Sequence, residues 1–420
     1  MGVYLTLTAG VIMKLWFCIV GGIALGSFSC TSGALTQRAL WITPVPGVKI
    51  SGVVLDEVSD NPVPNAEVLI GGTMLHARTN QSGEFLITNV PAGVLDAVVI
   101  LPNSREHTTR LEIENRADQF LQIIVPRNVH PQPPANYDPE KIIAELRSEN
   151  AELRRKLGID RLNEKKGSDA EIALFEKYLI GDPKQCILLN PDALSATVEN
   201  RNEGRGVTYS ASQPVLVENW RLGYKLQVFL KHAQVWETKG GFNIDYRAAI
   251  VFSDLLPKNP RDTKQWQNNR RKVYSGSLRH FLASLVAGRL ADEGFMVATT
   301  PDGDGQVGSP GVPGYNSSSA QRFVPRQNPY FIVATADHPA EHQLNFNNVI
   351  EVTYLKDFVD SKYRHFRGIV DDRQVSLISL TTKPATVNAN GILADNNSMQ
   401  MAGYWAIQQV CDLLPITYIP

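Results

Sequence analysis

A chain of 420 residues with 43% hydrophobic and 20% charged residues has a globular composition and the length for two folded domains. Its formal net charge of −1 removes the electrostatic case for a nucleic-acid partner. After residue 30 no apolar run is long enough to span a bilayer.

The N-terminal segment carries a basic residue, Lys14, then the apolar run Leu15 to Leu25, then Gly26-Ser27-Phe28-Ser29-Cys30. A positive charge, a short apolar core and small residues before a cysteine have the layout of a bacterial lipoprotein signal, in which the thiol is acylated. Residues 1–30 are therefore expected to be a signal peptide, Cys30 the lipid attachment site, and 31–47 a tether. Starting at Met1 places Lys14 inside a longer apolar segment, costly for a spanning helix, whereas starting at Met13 gives a compact signal. A permanent membrane helix and an ordinary cleaved signal are the competing readings. The lipid would make the membrane a partner and place the chain in the cell envelope of a diderm bacterium. No acidic run follows Cys30, which favours the periplasmic over the surface face of the outer membrane.

From residue 48 to 126 short apolar alternations are separated by turn residues. Val48, Ile50, Val53 and Leu55 precede the polar turn from Asp56 to Pro64, and Ala66, Val68 and Ile70 stop at Gly71-Gly72. Asn80-Gln81-Ser82-Gly83 leads into Phe85 and Ile87, and Val90-Pro91-Ala92-Gly93 leads into Ala97-Val98-Val99-Ile100. Strands and turns at this spacing predict a small all-β sandwich. The segments Gly52-Val53-Val54-Leu55-Asp56, Pro62-Val63-Pro64-Asn65-Ala66-Glu67-Val68, Thr79-Asn80-Gln81-Ser82-Gly83-Glu84-Phe85 and Val90-Pro91-Ala92-Gly93 occur in order. This series resembles the carboxypeptidase regulatory-like domain, a transthyretin-like Greek-key sandwich frequent in envelope proteins of the Bacteroidota. Asn80 stands where that family usually has Asp, and Leu95-Asp96 where an aromatic or threonine-rich strand is common. The resemblance implies an accessory module without catalytic residues, acting as a spacer or as a carbohydrate- or protein-binding fold.

Residues 127–168 read as a spacer. His130-Pro131-Gln132-Pro133-Pro134 is polyproline-like, and Asp138-Pro139-Glu140 opens a predicted helix with an N-cap and proline at its first position. Ile143, Leu146, Asn150, Leu153 and Leu157 form a heptad seam with one polar position, the pattern of homo-oligomeric self-association. It lasts only about two heptads, so a linker helix lying on the second domain is the competing reading.

Residues 169–420 are expected to form a larger, β-rich α+β domain, so that the whole chain is mainly β. Tyr224, Leu226, Val228 and Leu230 alternate with Lys225, Gln227, Phe229 and Lys231 as a strand with one buried face. Ala248 to Phe252, Tyr330 to Ala334, Val349 to Leu355 and Val375 to Leu380 are further strands. Leu278, Phe281, Leu282, Leu285 and Leu290 share a helical face, capped by Ser277 and ended by Gly294. A second helix is predicted from Met401 to Leu414, stopped by Pro415. Segments such as Phe175-Glu176-Lys177-Tyr178-Leu179-Ile180-Gly181 and Asn219-Trp220-Arg221-Leu222-Gly223-Tyr224 resemble the region that follows the sandwich in some Bacteroidota-type envelope proteins, which implies no activity. Cys18 leaves with the signal, so Cys186 and Cys411 remain. Outside the cytoplasm they could pair, or they are two buried thiols; the sequence leaves both open.

The search for chemistry yields little. His338-Pro339-Ala340-Glu341-His342 spells H-x-x-E-H, but zinc-peptidase chemistry needs that motif on a helix, and Pro339 opposes one. Asp302-Gly303-Asp304-Gly305 begins like a calcium loop, yet Val307 and Pro313 occupy the positions of the turn glycine and the bidentate glutamate. Arg270-Arg271-Lys272, with Trp266, Tyr274, Arg279 and His280, is a basic-aromatic cluster that could hold phosphorylated headgroups or simply face solvent. No catalytic residue, metal ligand or cofactor is assigned. The expectation is a non-enzymatic envelope lipoprotein that binds an envelope protein. The alternative is a glycan-binding module using Trp220, Trp236 or Trp405 as stacking platforms, and a metal-dependent hydrolase ranks below both.

Overall fold

The computed structural model describes residues 47–102, 105–115, 118–126, 165–166, 168–201, 204–238, 241–299, 324–325, 332–334, 341–346, 349–360, 363 and 372–420. The predicted signal with Cys30, the seam Ile143, Leu146, Asn150, Leu153 and Leu157, the Asp302 loop and His338 lie outside them. No helix among the described residues is long and apolar enough to cross a membrane.

The protein is mainly β, with an N-terminal sandwich and a larger β-rich domain. The sandwich contains β1 (Val48–Asp56), β2 (Glu67–Ile70), β3 (His76–Arg78), β4 (Glu84–Val90), β5 (Gly93–Ile100), β6 (Glu106–Ile113) and β7 (Gln119–Val125). Its sheets have the orders β4-β1-β7 and β3-β2-β5-β6, with β1 and β7 parallel. Alternation decides what is buried: Ile50 and Val54 of β1, Phe85 and Ile87 of β4, and Ile123 and Val125 of β7 meet Val68, Ala97, Val99 and Leu111 in one core. Gly83 has φ +70°, and a Cβ there would lie 2.7 Å from Pro62 and 2.8 Å from the Val54 carbonyl oxygen, so the turn requires glycine. Asn80 serves where Asp is usual, because its Oδ1 accepts from the Ser82 and Glu84 amides at 2.9 Å.

The larger domain begins with β8 (Lys165–Lys166) and helix α1 (Asp169–Phe175). Strands β9 (Cys186–Leu188), β10 (Leu194–Arg201), β11 (Gly204–Ala211), β12 (Val215–Asn219), β13 (Tyr224–Thr238) and β14 (Gly241–Asp254) follow. They form a sheet ordered β8-β10-β11-β13-β12-β9, with β14 also paired to β13. Helices α2 (Pro260–Tyr274), α3 (Leu278–Val286) and α4 (Leu290–Glu293) lead into β15 (Phe295–Thr299), β16 (Val324–Pro325), β17 (Ile332–Ala334), β18 (Glu341–Leu344), β19 (Ile350–Phe358), β20 (Arg373–Leu380), β21 (Ala385–Asn388) and β22 (Met399–Gly403). The last eight make a sheet ordered β16-β15-β19-β20-β22 and a smaller one ordered β17-β18-β21.

The predicted helix from Met401 to Leu414 is absent. Met399 to Gly403 pair with β20 instead, Gly403 turns the chain at φ +74°, and two short 3-10 turns follow. The helix predicted to run from Leu278 to Gly294 stops at Val286; Gly288, at φ +67°, separates α3 from α4. Helix α2 was not anticipated. Its signal was local: Asn259 caps it, Pro260 opens it, and Asp262 completes a capping box.

The sandwich does not stand apart. Leu69 and Val98 pack with Phe229, Ala249 and Val251 in a shared apolar cluster. The hairpin β13–β14 is therefore buried on both faces, because Leu226, Val228, Ile250 and Phe252 point into the larger domain's own core. Backbone bonds stitch the junction: the Gly72 amide donates to the Ile250 carbonyl at 2.6 Å, and Phe252 donates to Thr73 at 2.9 Å. On the far side Ile416 donates to Gly72 at 2.8 Å and Val94 to Ala394 at 2.5 Å. The described residues all belong to one compact unit. The picture of a sandwich that acts as a spacer gives way to one built into its neighbour.

Candidate functional site

The outer face of the β4-β1-β7 sheet is open to solvent and carries three exposed apolar side chains among polar ones. Register sets its rows. Ser51 of β1 lies between Leu86 and Phe120, Val53 between Glu84 and Gln122, and Leu55 beside Ile124, with Pro62 bridged to Leu55 on its other flank. Leu86 is 53%, Phe120 68% and Ile124 52% exposed. Strand alternation puts Ile123 and Val125 in the core and throws Phe120 and Ile124 outward. Among the described residues β7 has no strand on its outer edge.

A second feature is a cleft of about 620 Å³ between the sandwich and the larger domain. Asn89, Asn115, Asn388, Asn390, Thr386 and Thr417 supply amides and hydroxyls, and Glu112, Glu114 and Glu341 supply carboxylates. Ile113, Ile392, Ile416 and Ile419 supply aliphatic surface. Arg279, from the first turn of α3, is its cation. Arg279 donates from Nε to the Asn390 carbonyl at 3.3 Å, from Nη1 to Pro415 at 3.1 Å, and from Nη2 to Tyr418. Burial lowers its pKa, and the charges that act on it are Tyr274 and Tyr418.

A third, polar pocket of about 310 Å³ is lined by Arg221, Asp357, Asp360, Tyr363, Tyr404 and Asp412 among others. Here the buried Asp412 carboxylate accepts from Tyr363 Oη and Arg221 Nη1, and burial together with this carboxylate drives Tyr363 far above the ordinary phenol range. Next to it Cys186 and Cys411 form a disulfide with Cα atoms 6.5 Å apart, and Asn219 Nδ2 donates to the Cys411 carbonyl at 2.9 Å. These contacts hold the C-terminal segment to the sheet.

The remaining sequence features are dispersed. Glu341 and His342 lie on strand β18, not on a helix, and no group of three or more His, Cys, Asp or Glu among the described residues is placed to hold a metal. The basic-aromatic cluster divides. Trp266 is buried and donates to the Trp220 carbonyl at 2.7 Å, while Arg270 lies 3.9 Å over the Tyr224 ring and donates to Leu222 at 2.7 Å. His280 is buried, accepts at Nδ1 from the Gly276 amide at 3.1 Å, and has Nε2 3.5 Å from Glu293. Burial lowers its pKa to about 4 against the opposing pull of Glu293.

The tryptophans do not present open platforms. Trp405 is 6% exposed and donates to the Gly276 carbonyl at 2.8 Å. Lys258 Nζ covers Trp220 at 4.0 Å from the ring centroid. Trp236 packs so closely on Gly206 that a Cβ there would lie 2.0 Å from the ring.

A family model, the carboxypeptidase regulatory-like domain, matches residues 49–125. No curated protein matches the chain. Solved structures that it matches include a type II cohesin–X-dockerin complex from Acetivibrio cellulolyticus, 24% identical, TM-score 0.16, covering 19% of this chain and 56% of that one. They also include a putative carbohydrate binding protein from Bacteroides uniformis, 11% identical, TM-score 0.17, covering 50% of this chain and 100% of that one. The dioxygenase domain of a carbohydrate-binding fusion from Streptomyces sp. SirexAA-E is 15% identical, TM-score 0.17, covering 21% and 84%.

Proposed function

We propose that the protein is a non-enzymatic lipoprotein of the cell envelope that binds a protein partner through the outer face of its sandwich. The observation that carries this reading is the exposure of Leu86, Phe120 and Ile124 on one sheet face, each more than half exposed, beside the edge of β7 that no described strand covers. Covering water-exposed apolar side chains on one sheet face is favourable. An unpaired strand edge adds main-chain hydrogen bonds to an incoming extended segment. The regulatory-like domain at residues 49–125 supports an accessory role over a catalytic one. The glycan alternative loses its tryptophan platforms to core packing and to Lys258.

The lipid anchor at Cys30 rests on the sequence pattern alone. Intact-mass analysis of protein from the source membrane tests it: a diacylated Cys30 N-terminus is expected, and an unmodified thiol would remove the anchor. A photo-crosslinking residue placed at Phe120 or Ile124 in living cells tests the binding face, with exposed Lys264 on α2 as the control position. One envelope protein joined at 120 and 124 but not at 264 is expected. Identical products from all three positions would reject the face.

A further inference from the structure

The sheet face leaves the inter-domain cleft without a role, and the cleft has its own chemistry. Arg279 has five N–H donors, and its recorded bonds use three of them, all on carbonyls. Arg279 lines the cleft, and no carboxylate among the described residues pairs with this guanidinium; the arginine ion pairs are those of Arg110, Arg205, Arg221, Arg270 and Arg289. A desolvated cation held by carbonyl dipoles and the Tyr274 ring, 5.7 Å away, has its strongest unmet interaction with an anion. Glu112 lines the same cleft from β6 of the sandwich, whereas Arg279 enters it from α3 of the larger domain, so the two charges come from opposite partners of the junction.

We propose that this cleft binds a short peptide with both termini free, its carboxylate on Arg279 and its ammonium group toward Glu112. The rest of the lining fits a peptide between those ends. Asparagine side chains donate and accept along a backbone, and the isoleucines accept an aliphatic side chain. Among the described residues none that lines the cleft is aromatic, which disfavours a sugar ring that would stack. A volume of about 620 Å³ lies inside the range of about 300–1,000 Å³ in which small-ligand sites fall. The walls are also fixed, since Gly93 lies against Ala394, where a Cβ would come within 2.9 Å of its carbonyl oxygen.

The test is retention of a mixed-sequence tripeptide library by the purified protein, read by mass spectrometry in free, C-amidated and N-acetylated forms. Free peptides should be retained, and amidation should reduce retention about tenfold or more, the scale of a lost charge-assisted bond. Glu112→Arg, at an exposed position, should abolish the preference for a free ammonium group. Arg279→Gln should abolish the preference for a free carboxylate; where it fails to fold, the amide comparison on the wild type decides alone. Equal retention of free and blocked peptides would overturn the proposal, as would no retention. Binding of trigalacturonate without any peptide would also overturn it, in favour of an acidic glycan.

Discussion

Phe229 is the residue on which the union of the two domains depends most directly. It is 2% exposed and lies in the cluster with Leu69 and Val98 of the sandwich and Ala249 and Val251 of β14. Truncation of a buried phenylalanine removes its transfer free energy and leaves a cavity, together about 3–5 kcal/mol. Because the lost contacts span the junction, Phe229→Ala should weaken both domains. Hydrogen exchange in moderate urea, read on peptides covering β2 and β5 and on peptides covering 403–411, measures this. In the wild type the two sets should lose protection together, and in Phe229→Ala both should lose it at lower urea. Leu256→Ala, at an 87% exposed position, should change stability by less than about 0.5 kcal/mol. Wild-type sandwich peptides that exchange at far lower urea than those of the larger domain would refute the shared core, as would a Phe229→Ala effect confined to one domain.

Other consequences follow from the same contacts. His280 is neutral in the folded protein with its pKa lowered to about 4, so the unfolded chain takes up a proton near pH 6.5 that the folded one refuses. Stability should therefore fall as pH drops from about 6.5 to about 4, by about 3 kcal/mol in total, and His280→Gln should lose that part of the dependence in urea titrations across this range. Reduction of Cys186–Cys411, which spans 225 residues of sequence, should lower Tm and expose the C-terminal segment to proteolysis, with an upper bound of about 5 kcal/mol. Gly223→Ala should be strongly destabilising by thermal denaturation, since φ is +75° and the new Cβ would lie 2.2 Å from the Trp266 ring.

The sandwich was legible because its signals are local. Gly83, Asn80 and the alternation around Ile50 and Val68 act within a few residues of one another, and the structure uses them as read. What the sequence concealed is tertiary. Phe229 alternates with the buried face of its strand, among Lys225, Gln227 and Lys231, yet the sandwich covers it. The continuous apolar run Ala248 to Phe252 carried the missing hint, since strands buried on both sides lose their alternation. Met401 to Leu414 failed for a different reason: strand pairing with β20 and the turn at Gly403 overrode helical spacing. The proposed binding face was hidden because exposure of Phe120 and Ile124 depends on which side of β7 faces the core. The cleft brings residues 89–115 to residues 386–419, a juxtaposition no spacing rule encodes.

The account turns on the apolar face of the sandwich, and the most direct measurement is affinity capture of the crosslinked envelope partner by wild type and by Phe120→Glu/Ile124→Glu. Both side chains are exposed, so the double variant should keep the wild-type Tm within a few degrees while its recovery of the partner falls at least tenfold. Unchanged recovery by a folded double variant would contradict the claim that this face binds a protein.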